Sequence, residues 1–189
     1  RMRAGPAGPA YRPPGALAKV TANKPLSRLF PVRRRWRRRG ADVMPECAGM
    51  EISVRPANGM DGQRCAEIYL ASRRSAFHWQ PAGSFVLEDY HRAIEEEDVW
   101  VAEIGGVVVG FASIYRPENF VHNLFVDPRW QHRGVGTILL ERACSHLFRP
   151  ARLKCLAANQ GARAFYERNG WVVASATASA DEPYILYQK

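Results

Sequence analysis

From residue 51 onward the apolar positions follow two rhythms, and their order along the chain sketches a fold. Residues 51 to 55 alternate with period two, as a half-buried strand does. Residues 61 to 74 put Cys65, Ile68, Tyr69 and Ser72 on one side of a helix, with Asp61 as candidate N-cap. Ser84 is expected to cap a second helix reaching Glu95, with Val86, Tyr90, Ala93 and Ile94 facing inward. The acidic run Glu95-Glu96-Glu97-Asp98 then reads as its solvated end. Two β-rich runs, 100 to 104 and 107 to 115, are joined by Gly105-Gly106 and form a hairpin pattern. Residues 120 to 126 read as the next strand. A helix over 134 to 148 is expected to bury Val135, Ile138, Leu139, Ala143 and Leu147 before Pro150 stops it. A strand around Leu153, a short helix through Tyr166, and strands near 171 to 177 and 183 to 188 complete the order β-α-α-β-β-β-α-β-α-β-β.

Composition separates this patterned part from what precedes it. The chain has 189 residues, enough for one domain and a tail. Residues 1 to 40 hold twelve Lys and Arg and no Asp or Glu, so residues 41 to 189 hold fifteen basic against eighteen acidic side chains. The basicity belongs to the tail, and the domain is mildly acidic. Residues 1 to 49, rich in Pro, Gly, Ala and Arg without apolar periodicity, are expected to be disordered. The run from Arg33 to Arg39 would suit a phosphate backbone or an anionic membrane. The chain starts with arginine, however, and Met44 and Met50 stand just before the first strand pattern. The segment is therefore read as an over-extended reading frame, and nucleic-acid binding as the lesser alternative. No apolar run approaches the roughly 20 residues of a membrane-spanning helix, so no membrane partner is expected. Cys47, Cys65, Cys144 and Cys155 are widely spaced, and the last three sit in amphipathic or apolar segments. Buried free thiols in a reducing, cytoplasmic setting are expected, with no metal site.

The chemistry concentrates in residues 120 to 143. A strand ends at Asp127-Pro128, and Gln131-His132-Arg133-Gly134-Val135-Gly136 opens a helix with no acidic residue before Glu141. The first N–H groups of a helix lack internal partners and carry partial positive charge, so such an end can bind phosphate if small residues let it approach. Gly134 and Gly136 meet that need, while His132 and Arg133 add donors. A dinucleotide fingerprint would need a third glycine where the chain has Leu139, and no G-K-[ST] tripeptide exists for a P-loop. The pattern Q-x-x-G-x-G after a strand instead resembles the pyrophosphate loop of the GNAT acetyltransferase superfamily. Residues 153 to 171, LKCLAANQGARAFYERNGW, resemble that family's second signature: strand, Asn159, a helix carrying Ala-x-x-Phe-Tyr, then Gly170 and an aromatic. Asn159 is a candidate N-cap, and Ala162, Phe165, Tyr166 and Asn169 share one helical face. Gly170 stands where a left-handed residue would end the helix. Phe165 reads as core; a buried Tyr166 hydroxyl would need a partner.

The resemblance spans about residues 50 to 189 and implies an α/β (α+β) fold, a mixed, mostly antiparallel sheet flanked by about four helices. It implies acetyl-CoA as co-substrate, direct attack by an acceptor amine, and no metal. By the same resemblance, backbone groups of Leu124, Phe125 and Val126 would pair with the pantetheine arm, and Gln131, His132, Arg133, Gly134, Val135, Gly136 and Thr137 would wrap the diphosphate. Asn159 would contact the arm, and Tyr166 would protonate the departing thiolate. Where the family often places a glutamate base, this chain has His122. An imidazole titrating near ~6.5 can accept a proton at neutral pH, although a histidine that merely lines the cleft is the equal alternative. Glu103 and Glu118 are spare carboxylates. Phe77, His78, Trp79 and Phe120 are candidate acceptor-pocket residues and Tyr184 would close the floor; their rings would suit an apolar or cationic acceptor, with core packing the alternative for Phe77 and Phe120 and no clear role for His78. The acceptor is expected to be a small-molecule or peptide amine. Exposed C-terminal strands leave room for a homodimer. The alternatives are a non-catalytic acyl-CoA-binding protein and a nucleic-acid-associated protein acting through the tail.

Overall fold

The computed structural model describes residues 51–77, 79–177 and 183–189. The basic tail with its arginine run, and His78, lie outside the described residues. In chain order the elements are β1 (Ile52–Pro56), α1 (Gly62–Ala76), α2 (Asp89–Ala93), β2 (Asp98–Ile104), β3 (Val107–Tyr115), β4 (Phe120–Val126), α3 (Val135–Cys144), β5 (Arg152–Leu156), α4 (Gln160–Arg168), β6 (Val172–Thr177) and β7 (Tyr184–Gln188). The strands form one sheet in the order β1-β2-β3-β4-β5-β7-β6. Each neighbouring pair is antiparallel except β4 and β5. The expected element order and the mixed, mostly antiparallel α/β class are the observed ones.

The central strands are buried on both faces, which explains their nearly unbroken apolar sequence. On one face Ala102, Ala112, Leu124 and Val126 pack with Val135, Leu139 and Ala143 of α3 and with Ala162 and Tyr166 of α4. On the other, Val101, Phe111 and Phe125 meet Cys65, Ile68 and Tyr69 of α1 and Tyr90 of α2. Ser72, also on the inward side of α1, satisfies its hydroxyl by donating to the Val126 carbonyl at 3.1 Å. Cys65 and Cys155 are buried free thiols, and Cys144 is partly buried.

Three local expectations give way to tertiary contacts. Asp61 occupies the N-cap position of α1 without capping it. Its carboxylate instead accepts from Arg55 at 2.7 and 2.9 Å and from the Asn58 N–H at 2.7 Å. A guanidinium fork outcompetes a single helix N–H for a carboxylate. The second helix shrinks to the five residues of α2. Phe85, 1% exposed, is drawn in extended conformation against Phe77 and Leu156, which leaves Val86 43% exposed and delays the helix to Asp89. Third, α3 ends at Cys144, well before Pro150. The Ser145 hydroxyl donates to the Arg142 carbonyl at 2.7 Å, and the Asn119 amide clamps the following loop by donating to the carbonyls of Phe148 and Pro150. Ile138, expected to be buried, lies 39% exposed on the outer side of α3.

Close packing of β3 against β4 places a demand on Gly110. A Cβ there would stand 2.9 Å from the Phe125 carbonyl oxygen and 3.3 Å from Val126 Cγ2. Gly110→Ala is therefore expected to lower stability by about 1–3 kcal/mol. Urea unfolding followed by circular dichroism checks this, and an unchanged midpoint would show that the strands part freely.

Candidate active site

The loop between β4 and α3 is built around one carboxylate. Asp127 accepts from the Arg129 backbone N–H at 2.9 Å and from its guanidinium at 2.8 Å, while Arg64 of α1 donates to the same oxygen as that guanidinium. Burial opposes ionisation of Asp127, yet the Arg129 and Arg64 donors outweigh it and hold the carboxyl well below the usual range. The loop is thereby tied to the sheet and to α1. Gln131 folds back to donate to the Val126 carbonyl at 3.1 Å.

Two left-handed residues, His132 at φ 62° and Gly134 at φ 82°, then curl the chain into α3. His132, Arg133 and Gly134 are exposed, Val135 is buried, and Gly136 and Thr137 are half-buried. The amides of Thr137 and Ile138 both donate to the Gly134 carbonyl, so those of Val135 and Gly136 precede the helix's internal bonds. No acidic residue stands in that first turn. Arg133 lies over the Trp130 ring at 5.1 Å. Gly136 lets α3 approach α4, since a Cβ there would meet the Phe165 ring at 3.4 Å. This end of α3 has the charge and the open backbone for an anion.

Beside the loop the sheet opens. β4 and β5 pair only at Phe120↔Arg152 and Val121↔Leu153. Beyond Val121, β4 keeps its bonds to β3 but has no ladder partner on the β5 side, and Leu124, Phe125 and Val126 lie along that freed edge. His122 stands at the mouth of this fork. Asn123 pairs with Ser113 and Val121 with Ile114, so His122 is the extra residue of a bulge. A bulge re-aims side chains, and here His122 and Asn123, although consecutive, both reach the segment between α2 and β2. Asn123 donates to the Ala93 carbonyl at 3.0 Å and to the Ser113 hydroxyl at 2.8 Å. His122 Nδ1 bonds Glu97, whose other oxygen accepts from Ser113.

Glu97 corrects the reading of the acidic run. Its side chain is 4% exposed, because Glu96 adopts φ 63° after the short α2 and turns the next residue under the sheet. Nothing in the sequence distinguishes Glu97 from its three acidic neighbours; only the bulge opposite it does. Of the spare carboxylates, Glu103 is taken by Arg55 at 2.5 Å, and Glu118 lies in the turn between β3 and β4.

The opposite side of the fork carries α4. Asn159 caps it, accepting from the Ala162 N–H at 3.0 Å, and Gly170 ends it at φ 78°, both as expected. Tyr166 is fully buried; its hydroxyl has no hydrogen-bond partner, and burial lifts its pKa well above the ordinary tyrosine value. Of the candidate acceptor residues, Phe77 is 1% exposed and meets Trp79 edge-on at 5.3 Å, and Trp79 is 41% exposed. Tyr184 begins β7, paired with Leu156 of β5. A cavity of about 460 Å³ at the far end of α3, bordered by Cys144, Phe148, Trp171 and Lys189, touches neither loop nor fork.

Comparison with known proteins agrees with this geometry. The chain matches the acetyltransferase (GNAT) family over residues 63–171 and belongs to it. The uncharacterized N-acetyltransferase YafP of Escherichia coli is 36% identical over 78 residues, covering 41% of this chain and 48% of YafP. The uncharacterized N-acetyltransferase MJ1207 of Methanocaldococcus jannaschii is 31% identical over 90 residues, 41% of this chain and 40% of MJ1207. The match thus spans less than half the length of either relative. Among solved structures, apo YjaB of Escherichia coli superposes with a TM-score of 0.63 at 26% identity, covering 74% of this chain and 97% of YjaB. The fold is also that of yncA from Salmonella typhimurium, a putative acetyltransferase solved with its cofactor acetyl-CoA, at a TM-score of 0.54 and 21% identity over 74% of this chain and 93% of yncA. Among the described residues no helix is long and apolar enough to cross a membrane, and no group of His, Cys, Asp and Glu could hold a metal ion.

The depressed carboxyl of Asp127 makes part of the stability pH-dependent. Its folded pKa lies below the unfolded value of about 3.9, so its contribution is complete above that value and is lost as pH falls toward the folded pKa. Between pH 5 and pH 2.5 the urea midpoint of Asp127→Asn is expected to fall less steeply than that of the unaltered protein. Equal slopes would remove Asp127 as the anchor of the loop.

Proposed function

We propose that this protein moves an acetyl group from acetyl-CoA to the primary amine of a small molecule or peptide, by direct attack in a ternary complex. The observation that carries the reading is the fork between β4 and β5, with a histidine–glutamate pair on one face and an unpartnered tyrosine hydroxyl on the other. The diphosphate is assigned to the loop from Gln131 to Thr137, where His132, Arg133 and Gly134 are exposed and the amides of Val135 and Gly136 open α3. The pantetheine arm, itself a chain of amides, suits the freed edge of β4 at Leu124, Phe125 and Val126, with Asn159 across the fork. A backbone N–H of that edge directed at the thioester oxygen would stabilise the charge that develops there.

The amine nitrogen attacks the thioester carbon, the C–S bond breaks, and one proton leaves the nitrogen while one is gained by sulfur. With Nδ1 committed to Glu97, the lone pair of neutral His122 lies on Nε2, the atom assigned to accept the amine proton. Glu97 acts as the positioning residue that sets this tautomer, in the manner of the carboxylate of a catalytic triad.

Tyr166 is assigned to the sulfur. A phenol raised by burial would be a poor acid toward a thiolate in water, whose thiol titrates near ~8.5. Burial raises thiols in this region too: Cys144, packed against the core cluster that holds Tyr166, is pushed up to about 11. A thiolate leaving beside the fully buried Tyr166 would gain basicity by the same effect, enough to take a hydrogen bond and then the proton.

His122→Ala is expected to lower kcat by about 10²–10⁴, and Tyr166→Phe to lower it with acetyl-CoA affinity kept. Glu97→Gln should lower kcat while leaving the KM for acetyl-CoA unchanged. Free-thiol release with a panel of amines measures all three, and a His122→Ala enzyme of undiminished kcat would exclude His122 as the base. Acetyl-CoA binding with no thiol release across the whole panel would point to a non-catalytic acyl-CoA-binding protein.

Gly134→Val should weaken acetyl-CoA binding at least about tenfold, since a β-branched residue at φ 82° must recoil at a cost of about 1–2 kcal/mol and shift the amides around it. Titration calorimetry on folded protein checks this, and unchanged affinity would take the diphosphate away from this loop.

A further inference from the structure

We infer that the acceptor is an amine that also carries a carboxylate, and that Lys154 recognises it. The inference rests on the reading of the fork given above and names the class of molecule the fork takes.

Lys154 follows Leu153, the last residue of β5 that pairs with β4, so it stands on the β5 bank where the strands part. Leu153 and Cys155 point into the core under α3 and α4. Alternation along a strand therefore sends Lys154 to the other face. On β4 and β7 the same reasoning sends Phe120 and Tyr184 there, because Val121 and Ile185 belong to the α3 side. The contacts agree. The ammonium lies 4.8 Å from the Tyr184 ring centroid and 6.0 Å from that of Phe120. Phe120 is also the neighbour of His122, at 4.9 Å between ring centroids. The proposed base and this cation thus flank a single phenylalanine on the face opposite Tyr166.

Lys154 is half-buried, yet no carboxylate of the described residues lies within 4 Å of it. Arg55, Arg64 and Arg73, also partly buried, each have an acidic partner. A half-buried cation at the fork with no counter-charge among the described residues suits an anionic ligand, and the two rings hold the ammonium in place for it. Of the candidate acceptor-pocket aromatics, Phe120 and Tyr184 thus have the protein's own lysine over their rings. The arrangement also aids attack. A positive charge beside the incoming amine disfavours its protonated form, and the neutral amine is the nucleophile.

The test uses matched acceptors, amino acids and dipeptides against their carboxamides, with thiol release giving kcat and KM for each. The carboxamides have the less basic amines, so nucleophile availability alone would favour them. The unaltered protein is expected to prefer the carboxylates by about 10- to 100-fold in kcat/KM, mostly through KM, as a charge-assisted contact implies. Lys154→Met should collapse that ratio toward one, and Lys154→Arg should retain most of it. Equal use of acids and amides by the unaltered protein overturns the inference without any variant, and so does a Lys154→Met enzyme that keeps the preference. Transfer to amides without preference for acids removes this inference and leaves the proposed function standing. Absence of thiol release with every amine, while acetyl-CoA still binds, removes both.

Discussion

A parallel strand pair that stops after two rungs is the constraint on which the rest of the molecule turns. Two sub-sheets, β1 to β4 and β5 with β7 and β6, are each laddered internally and joined only at Phe120↔Arg152 and Val121↔Leu153. A sheet edge in the middle of a protein is ordinarily a defect, since its backbone groups need partners. Here the edge is held open from both sides. β4 is fastened to β3, to Ser72 through the Val126 carbonyl, and to α1 through Asp127 and Arg64. β5 is fastened by five pairs to β7. Neither bank can swing across to close the gap without breaking bonds that are already satisfied.

The fork also separates two chemical environments. On the α3 and α4 side the walls are largely apolar, and the Tyr166 hydroxyl is buried there without a hydrogen-bond partner. On the α1 and α2 side a polar network runs from Asn123 through Ser113 and Glu97 to His122, with Lys154 on the opposite bank. Buried polar groups are tolerable when they find partners, and the bulge in β4 provides them for the His122 ring and the Asn123 amide nitrogen by turning two successive side chains to one face. A regular strand would have sent His122 and Asn123 to opposite sides, so that only one of them could reach the segment that carries Glu97.

Much of this was legible from the residues. The strands were legible in two ways: β1 alternates with period two because one of its faces is less covered, and β3 and β4 are nearly unbroken apolar runs because both of their faces are buried. The glycines of the α3 loop and the Asn159 and Gly170 bounds of α4 were legible because they answer local backbone needs: a left-handed φ, a free N–H, a helix stop. The second helix was misread because the pull of Phe85 into the Phe77 cluster is a long-range contact that no periodicity records. Glu97 and Lys154 were passed over for the same reason. One sat in a run of like charges and the other in a strand of mixed character, and only their neighbours across the sheet set them apart.

The amino-acid sequence by itself determined the order of elements, the phosphate-ready end of α3 and the cap and stop of α4, since each depends on residues within a few positions of one another. The tertiary structure alone decided which acidic side chain meets His122, which lysine faces the cleft and where the sheet divides. Those outcomes arise from pairing between residues far apart in the chain, such as His122 with Glu97 and Lys154 with Phe120, and a one-residue shift in strand register would undo them.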